Sequence, residues 1–303
     1  MLLIQTDNPE MLNDFRIFFT IMRGKKMTDN RNVLISGCSS GIGRALVIEF
    51  ADKGYHVFAT ARKPEMIKYL EDNNISIYQL DVTDPVSIKK CINAVLKKHG
   101  RIDILVNNAG YGQMGPLSDV PIERIRQQYE TNVIGSISLI QKIIPSMINN
   151  GTGMIVNISS VSGTFTTPFA GVYCSSKAAL NSISDALRIE LAPFGIKVIT
   201  VRPGGIKTNF GDTAFGGLEF LDRKKSVYAG IADFIEKRAN SSQDNPMSVE
   251  KFAEILVQKL SVTEPEPVIS LGEGARKLPM LKFFLPVKVL DRIQSRVFGL
   301  NRL

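Results

Sequence analysis

Tyr173 and Lys177 stand four residues apart in GVYCSSKAALNSISDAL, and Ser160 lies upstream in NISSVSG. At i,i+4 on a helix, a phenol and an ammonium project from one face, one turn apart. A free tyrosine has a pKa of about 10 and is almost wholly neutral at pH 7. To act as a base there its pKa must drop by about 3 units, roughly 4 kcal/mol. A fixed cation about 4 Å away supplies that much at an intermediate effective dielectric. Tyrosine with lysine therefore makes an acid/base, and a neighbouring serine hydroxyl can polarise a carbonyl. Taken alone, the spacing is weak in a chain with seven tyrosines. A core tyrosine beside a solvated lysine would then be the better reading.

The rest of the chain changes that balance. From residue 32 onward, short apolar runs alternate with amphipathic stretches. The candidate strands are 32–36, 56–60, 75–80, 102–106, 154–158, 197–201 and 268–271. Between them lie helical patterns such as residues 85–99, with Asp84 as N-cap, Pro85 in the first turn and Gly100 as the stop. Strands that are apolar throughout and alternate with helices predict a doubly wound, parallel, Rossmann-like α/β sheet buried on both faces. We expect one such domain over 29–275, an N-terminal extension over 1–28 and a basic amphipathic C-terminal extension over 276–303.

The first strand runs directly into Gly37-Cys-Ser-Ser-Gly41-Ile-Gly43, and a helical pattern follows. Glycines at these places permit a tight turn and close approach of a pyrophosphate to the backbone. The following helix offers its N-terminal N–H groups to the anion. The spacing is G-x-x-x-G-x-G rather than G-x-G-x-x-G. The second strand ends in Ala61-Arg62-Lys63 with no acid. An acid there would hold the ribose 2′-hydroxyl of NAD, whereas an arginine suits the 2′-phosphate of NADP. NADP is therefore the expected cofactor and NAD the alternative, with Arg62 as the phosphate partner and Arg44 as a further cation. If Arg62 and Lys63 merely open a solvated helix, that preference has no basis.

Together these segments resemble the short-chain dehydrogenase/reductase family over about residues 32–275. The matches run in order: the three glycines, Asp81-Val82, Asn107-Asn108-Ala109-Gly110, Asn132, Ser160 thirteen residues before Tyr173, Lys177, and Pro203-Gly204 leading to Thr208. The resemblance implies that Tyr173 transfers a proton, and that Lys177 lowers its pKa and binds the nicotinamide ribose. It further implies that Ser160 holds the substrate oxygen and that Asn132 supports a water in a relay to Lys177. Asp81 and Val82 would contact the adenine end, and Asn108, Ala109 and Gly110 would line the cofactor. Thr208, with Pro203, Gly204 and Ile206, would meet the nicotinamide. Ser39, Ser40 and Ile42 join the glycines around the phosphates. Gly205 beside Gly204 is a mild variation on the family pattern.

SGCSSGIGRAL, the ATAR strand end and the long C-terminus resemble the branch containing 17β-hydroxysteroid, retinol and acyl-dihydroxyacetone-phosphate reductases. That branch implies lipid metabolism, with lipophilic ketones and secondary alcohols as substrates. Residues 204–246 form a long mixed excursion after a strand, where parallel sheets shape substrate sites. Gly216, Gly217, Leu218, Phe220, Leu221 and Tyr228 there either line an apolar pocket or simply pack a lid. A noncatalytic dinucleotide sensor is the rival from outside the enzyme class, and the intact Ser160, Tyr173 and Lys177 set argues against it.

Composition narrows the field further. The 303 residues carry 44% hydrophobic and 22% charged side chains, as a globular protein does. The net charge is +8. Much of the excess sits in the tail, where Arg276, Lys277, Lys282, Lys288, Arg292, Arg296 and Arg302 face only Asp291. That distribution argues against nucleic acid as a partner. It suits peripheral contact of the tail with an anionic membrane surface, or docking of the tail on the domain or on a second subunit. Three scattered cysteines and two histidines give neither a disulfide framework, nor a metal site, nor a Ser-His-Asp triad. The N-terminal segment lacks the basic start of a signal peptide, and Met27 is an alternative start. We therefore expect a cytoplasmic homo-oligomer, with membrane contact of the tail and docking of the tail on protein as the two alternatives.

Overall fold

A computed structural model describes residues 31–222, 225–241 and 245–303, so the N-terminal extension and Met27 lie outside the described residues. Seven strands form: β1 (Asn32–Ile35), β2 (His56–Ala61), β3 (Ile75–Gln79), β4 (Ile104–Asn107), β5 (Gly153–Ile158), β6 (Ile196–Pro203) and β7 (Val268–Leu271). Each expected strand is present, its ends shifted by at most two residues. The sheet order is β3-β2-β1-β4-β5-β6-β7 and every pairing is parallel. Leu34 in β1 lies beside Phe58 on one side and Leu105 on the other.

The helices follow in chain order. They are α1 (Gly41–Asp52), α2 (Pro85–His99), α3 (Ile122–Tyr129), α4 (Gly135–Asn149), α5 (Gly171–Leu191), α6 (Phe210–Gly216), α7 (Ala232–Asn240), α8 (Val249–Leu260), α9 (Lys277–Phe284) and α10 (Val287–Val297). Local chemistry sets their ends. Asp84 caps α2 by accepting from the Val86 N–H at 2.8 Å, and Gly100 ends it at φ +80°. Ser248 caps α8 by accepting from the Lys251 N–H at 3.2 Å.

The sheet buries both faces. Leu46, Val47 and Phe50 of α1 pack with Phe252, Leu256 and Val257 of α8 on one side. Ile88 and Ile92 of α2 pack with Leu139 and Ile143 of α4 on the other. Each such side chain, fully removed from water, contributes roughly 1.5–3 kcal/mol before chain entropy is subtracted. Strand order reverses between β1 and β4, so their C-terminal ends open the crevice where α/β sheets bind ligands.

A third cluster covers that crevice. Met114, Phe169, Tyr173 and Cys174 pack with Ala214, Leu218, Ile231, Ile235 and Ala239 from the excursion after β6. Phe298 and Leu300, beyond α10, join it. The two tail prolines behave differently. Pro279 is absorbed into the first turn of α9, where its missing N–H costs nothing, while Pro286 separates α9 from α10.

Candidate active site

The glycine loop joins β1 to α1 at the crevice. Gly37 has φ +72° and Gly41 φ +55°. A Cβ on Gly37 would sit 2.8 Å from Ala109 Cα, and one on Gly43 would sit 2.3 Å from the Gly37 carbonyl oxygen. Glycine is thus required for backbone to pass backbone here. Ser40 takes the N-cap position of α1, but its side chain makes no cap bond. The first N–H groups of α1 therefore point outward for an anion. Ser39 and Ser40 are exposed at the loop, while Ile42 packs inward on the core.

Asn108 holds this loop in shape. Its Nδ2 donates to the carbonyl oxygens of Ser36 and Gly37, both at 2.9 Å. The N–H groups of Asn108 and Ala109 each donate to Ser36 Oγ at 3.0 Å. Ser36 was missed by sequence reasoning, which treated it as a strand end. A small hydroxyl residue just before a glycine loop is its only signal.

Arg62 and Lys63 are exposed just past β2, at the same edge of the crevice. Asp81 Oδ1 accepts from the Thr83 N–H and hydroxyl at 2.9 and 2.7 Å, so part of this carboxylate holds a turn. Val82 is buried in the core beneath. After β6, Gly204 passes so close to Glu273 that a Cβ would lie 1.9 Å from its carbonyl oxygen. Gly205 exchanges backbone hydrogen bonds with Glu273, and its carbonyl oxygen accepts from the Met247 N–H. Ile206 is buried, and Thr208 reaches back to within 3.4 Å of the Cβ position of Gly41. Both ends of the expected cofactor site thus converge on the crevice. The close-approach glycines and uncapped helix N-terminus fit a dinucleotide.

The catalytic candidates come together at its centre. Tyr173 and Lys177 lie on α5, buried to 7% and 6% exposure. Lys177 Nζ donates to the Ile158 carbonyl oxygen at 2.8 Å and stands 6.0 Å from the centre of the Tyr173 ring. Ser160, after β5, is buried and accepts from the Ser162 N–H at 3.1 Å. A Cβ on Gly110 would lie 3.0 Å from Asn132 Oδ1 and 3.7 Å from Lys177 Nζ, which places Gly110, Asn132 and Lys177 side by side.

Asn132 sits in a π-helical turn, Glu130–Ile134, between α3 and α4. Such turns recur at functional positions because the extra residue redirects a side chain and frees backbone groups. Asn132 Nδ2 donates to the Tyr111 carbonyl oxygen at 3.0 Å and to Ser176 Oγ at 3.3 Å. Its Oδ1 accepts from the Tyr111 N–H at 3.2 Å.

The charge states differ from the sequence expectation. Burial pushes the Tyr173 phenol up to about 12, although hydrogen bonding to Ser160 pulls it back part way. Burial pulls the Lys177 ammonium down to about 8. Desolvation therefore dominates the charge state of both groups. At pH 7 the arrangement is a neutral phenol beside a charged lysine, which is ready to donate a proton to a carbonyl oxygen.

Several site features were not legible beforehand. Phe210 packs against Tyr173 with its ring tilted and the ring centres 5.3 Å apart. Gln113 Nε2 and Arg124 Nη1 both donate to the Gly217 carbonyl oxygen, at 3.1 and 3.0 Å, tying the excursion to the loops under it. Arg238, on α7 of the excursion, is buried. Of the pocket residues expected there, Leu218, Phe220, Leu221 and Tyr228 belong to the cluster around Tyr173. Among the described residues, no group of three or more His, Cys, Asp or Glu side chains could hold a metal ion.

A parallel α/β sheet with a glycine-rich first crossover and a buried Ser-Tyr-Lys set defines a nucleotide-dependent oxidoreductase. The family model for short chain dehydrogenase matches residues 31–216, and the chain belongs to that family. It is 34% identical over 273 residues to an NADPH-dependent 3-dehydrocapnine reductase of Ornithobacterium rhinotracheale, covering 87% of this chain and 95% of the relative. A short-chain dehydrogenase from Streptomyces avermitilis superposes with TM-score 0.71 at 27% identity, over 90% of this chain and 97% of that one. ElxO with NADP bound superposes with TM-score 0.63 at 30% identity, over 79% and 96%.

Proposed function

We propose that this short-chain dehydrogenase is an NADP(H)-dependent reductase of lipophilic ketones, and of the matching secondary alcohols in reverse. Steroid-, retinoid- or acyl-lipid-like compounds are its substrate class. The carrying observation is the burial of Tyr173, Lys177 and Ser160 together under an apolar cover of Phe169, Leu218, Phe220 and Tyr228. Ser160 and Tyr173 bind the carbonyl oxygen, and the Tyr173 hydroxyl gives it a proton. Lys177 fixes the ribose and compensates the phenolate that remains, while Asn132 orders the route by which the proton is replaced. When bound, the nicotinamide supplies or accepts the hydride. Gly37, Gly41 and Gly43 hold the phosphates, and Arg62 selects the 2′-phosphate. The test is turnover of a panel of lipophilic ketones with NADPH and with NADH, beside the Tyr173→Phe variant. NADPH-dependent turnover that this variant loses supports the reading. Turnover that survives the substitution overturns it.

The tail helices are proposed to rest on an anionic membrane surface from the cytoplasmic side. Phe283 and Phe284 are 82% and 70% exposed on α9. Lys282, Lys288, Arg292 and Arg296 accompany the exposed apolar residues of α9 and α10. Apolar insertion and attraction to acidic headgroups then act together. Among the described residues no helix is long and apolar enough to cross a membrane. A homo-oligomer is the proposed assembly, and light scattering of the eluted protein tests it.

A further inference from the structure

Arg238 lies on α7 with only 9% of its surface exposed. No carboxylate pairs with it among the described residues. Its Nε donates to Thr167 Oγ1 at 2.6 Å and its Nη1 to Ser241 Oγ at 2.9 Å. A guanidinium has five N–H donors and cannot be deprotonated in ordinary conditions. These two bonds go to neutral hydroxyls, which orient the cation without neutralising it. A buried charge that no carboxylate among the described residues compensates costs several kcal/mol, so a fold that keeps one gains something else from it.

Its location says what. Ile235 and Ala239, which flank Arg238 on α7, belong to the cluster that contains Tyr173, Cys174 and Phe169. Thr167 lies in the loop leading into α5, six residues before Tyr173. Phe169 in that loop holds a left-handed φ of +63°, a conformation an L-residue keeps only when its surroundings enforce it. The cation is also close enough to pull the Tyr173 phenol down, though burial dominates there. The guanidinium is therefore anchored by Thr167 and Ser241 at the edge of the apolar cluster that holds the reacting phenol.

We infer that Arg238, oriented by Thr167, is a substrate-binding residue that receives an acidic oxyanion, such as a carboxylate or phosphate, carried by the lipophilic ketone. A planar guanidinium bonds such an oxyanion through two parallel N–H donors, and in a dry site this pairing is strong and specific. The inference rests on the ketone-reductase reading and narrows its substrate class from neutral lipids to amphiphilic acids.

The test separates the two claims by measuring binding apart from turnover. The protein saturated with NADP+ cannot reduce a ketone, so medium-chain keto acids and their methyl esters can be titrated into it by calorimetry. The wild type should hold the acids about tenfold or more tighter than the esters, one charged contact being ~1.5–3 kcal/mol. Arg238→Met should abolish that preference, and Arg238→Lys and Thr167→Val should reduce it. The two milder variants decide the matter if Arg238→Met does not fold. A wild type indifferent to the acid overturns the inference, as does a preference that survives all three variants. Preferential binding of acids by a protein that reduces none of them with NADPH would instead overturn the ketone-reductase reading.

Discussion

Lys177 Nζ and the Tyr173 ring centre are 6.0 Å apart, and the ammonium is spent on the Ile158 carbonyl oxygen at 2.8 Å rather than on the phenol. Both groups are nearly dry. Their burial, not their spacing, governs how the site responds to pH.

Lys177→Met should therefore show a pH-dependent stability difference. The lysine's pKa falls from 10.5 unfolded to about 8 folded. Between those values the unfolded chain binds more protons, so wild-type stability rises with pH there and is lowest below 8. Wild type should gain about 2 kcal/mol relative to the methionine variant between pH 7.5 and 9.5. Chemical denaturation at the two pH values reads this directly, and parallel curves would show that Lys177 titrates as if in water. Above pH 10 the Tyr173 phenol, raised to about 12, works the other way, since the folded chain keeps a proton the unfolded chain loses.

Gly43→Ala should weaken cofactor binding about tenfold or more, since overpacking of this kind costs typically 1–3 kcal/mol. Its Cβ would lie 2.3 Å from the Gly37 carbonyl oxygen and 2.5 Å from Asn108 Nδ2, so the phosphate loop must shift. Gly171→Ala is the matched control, with nothing within 4 Å of its Cβ position. Fluorescence titration with NADPH compares the two. Equal affinities would remove the glycine loop from the cofactor site.

The sheet and the order of its motifs were readable because buried parallel strands are apolar throughout and glycine loops mark where backbone meets backbone. The charge states of Tyr173 and Lys177 were not, because desolvation depends on what covers α5, and the excursion that covers it lacks a regular period. Arg238 escaped notice for the same reason. In sequence it follows Glu236 and Lys237 on a short helix and reads as a solvated face, and only packing against Thr167 makes it buried. The tail was read as a packing element or a membrane element. Phe298 and Leu300 pack on the lid, while Phe283 and Phe284 stay exposed, because Pro286 lets the two halves turn separately.

Arg62→Asp should raise the KM for NADPH at least about tenfold and leave NADH less affected. The substitution removes an exposed cation at the end of β2 and places an acid where ribose hydroxyls would be bound. Steady-state kinetics with both cofactors measures the ratio. A ratio equal to that of wild type would assign Arg62 to the solvated start of the segment Pro64–Leu70.

Phe283→Ser with Phe284→Ser should abolish the salt-resistant part of binding to vesicles rich in acidic phospholipid. Truncating the tail would be a poor test, because Phe298 stands 6.5 Å from Phe169 by ring centres and Arg302 lies 4.7 Å from the Phe234 ring, so its loss opens the lid. The two phenylalanines instead meet mainly each other, 5.1 Å apart, and their replacement should leave the fold intact. Basic residues near an acidic surface contribute roughly 1 kcal/mol each, and salt screens that share. Insertion of the rings is not screened. Wild type should therefore sediment with vesicles at low salt and partly at high salt, and the double variant at low salt only. If neither protein sediments while the double variant elutes as a smaller assembly, this face joins two copies of the chain and the membrane proposal fails.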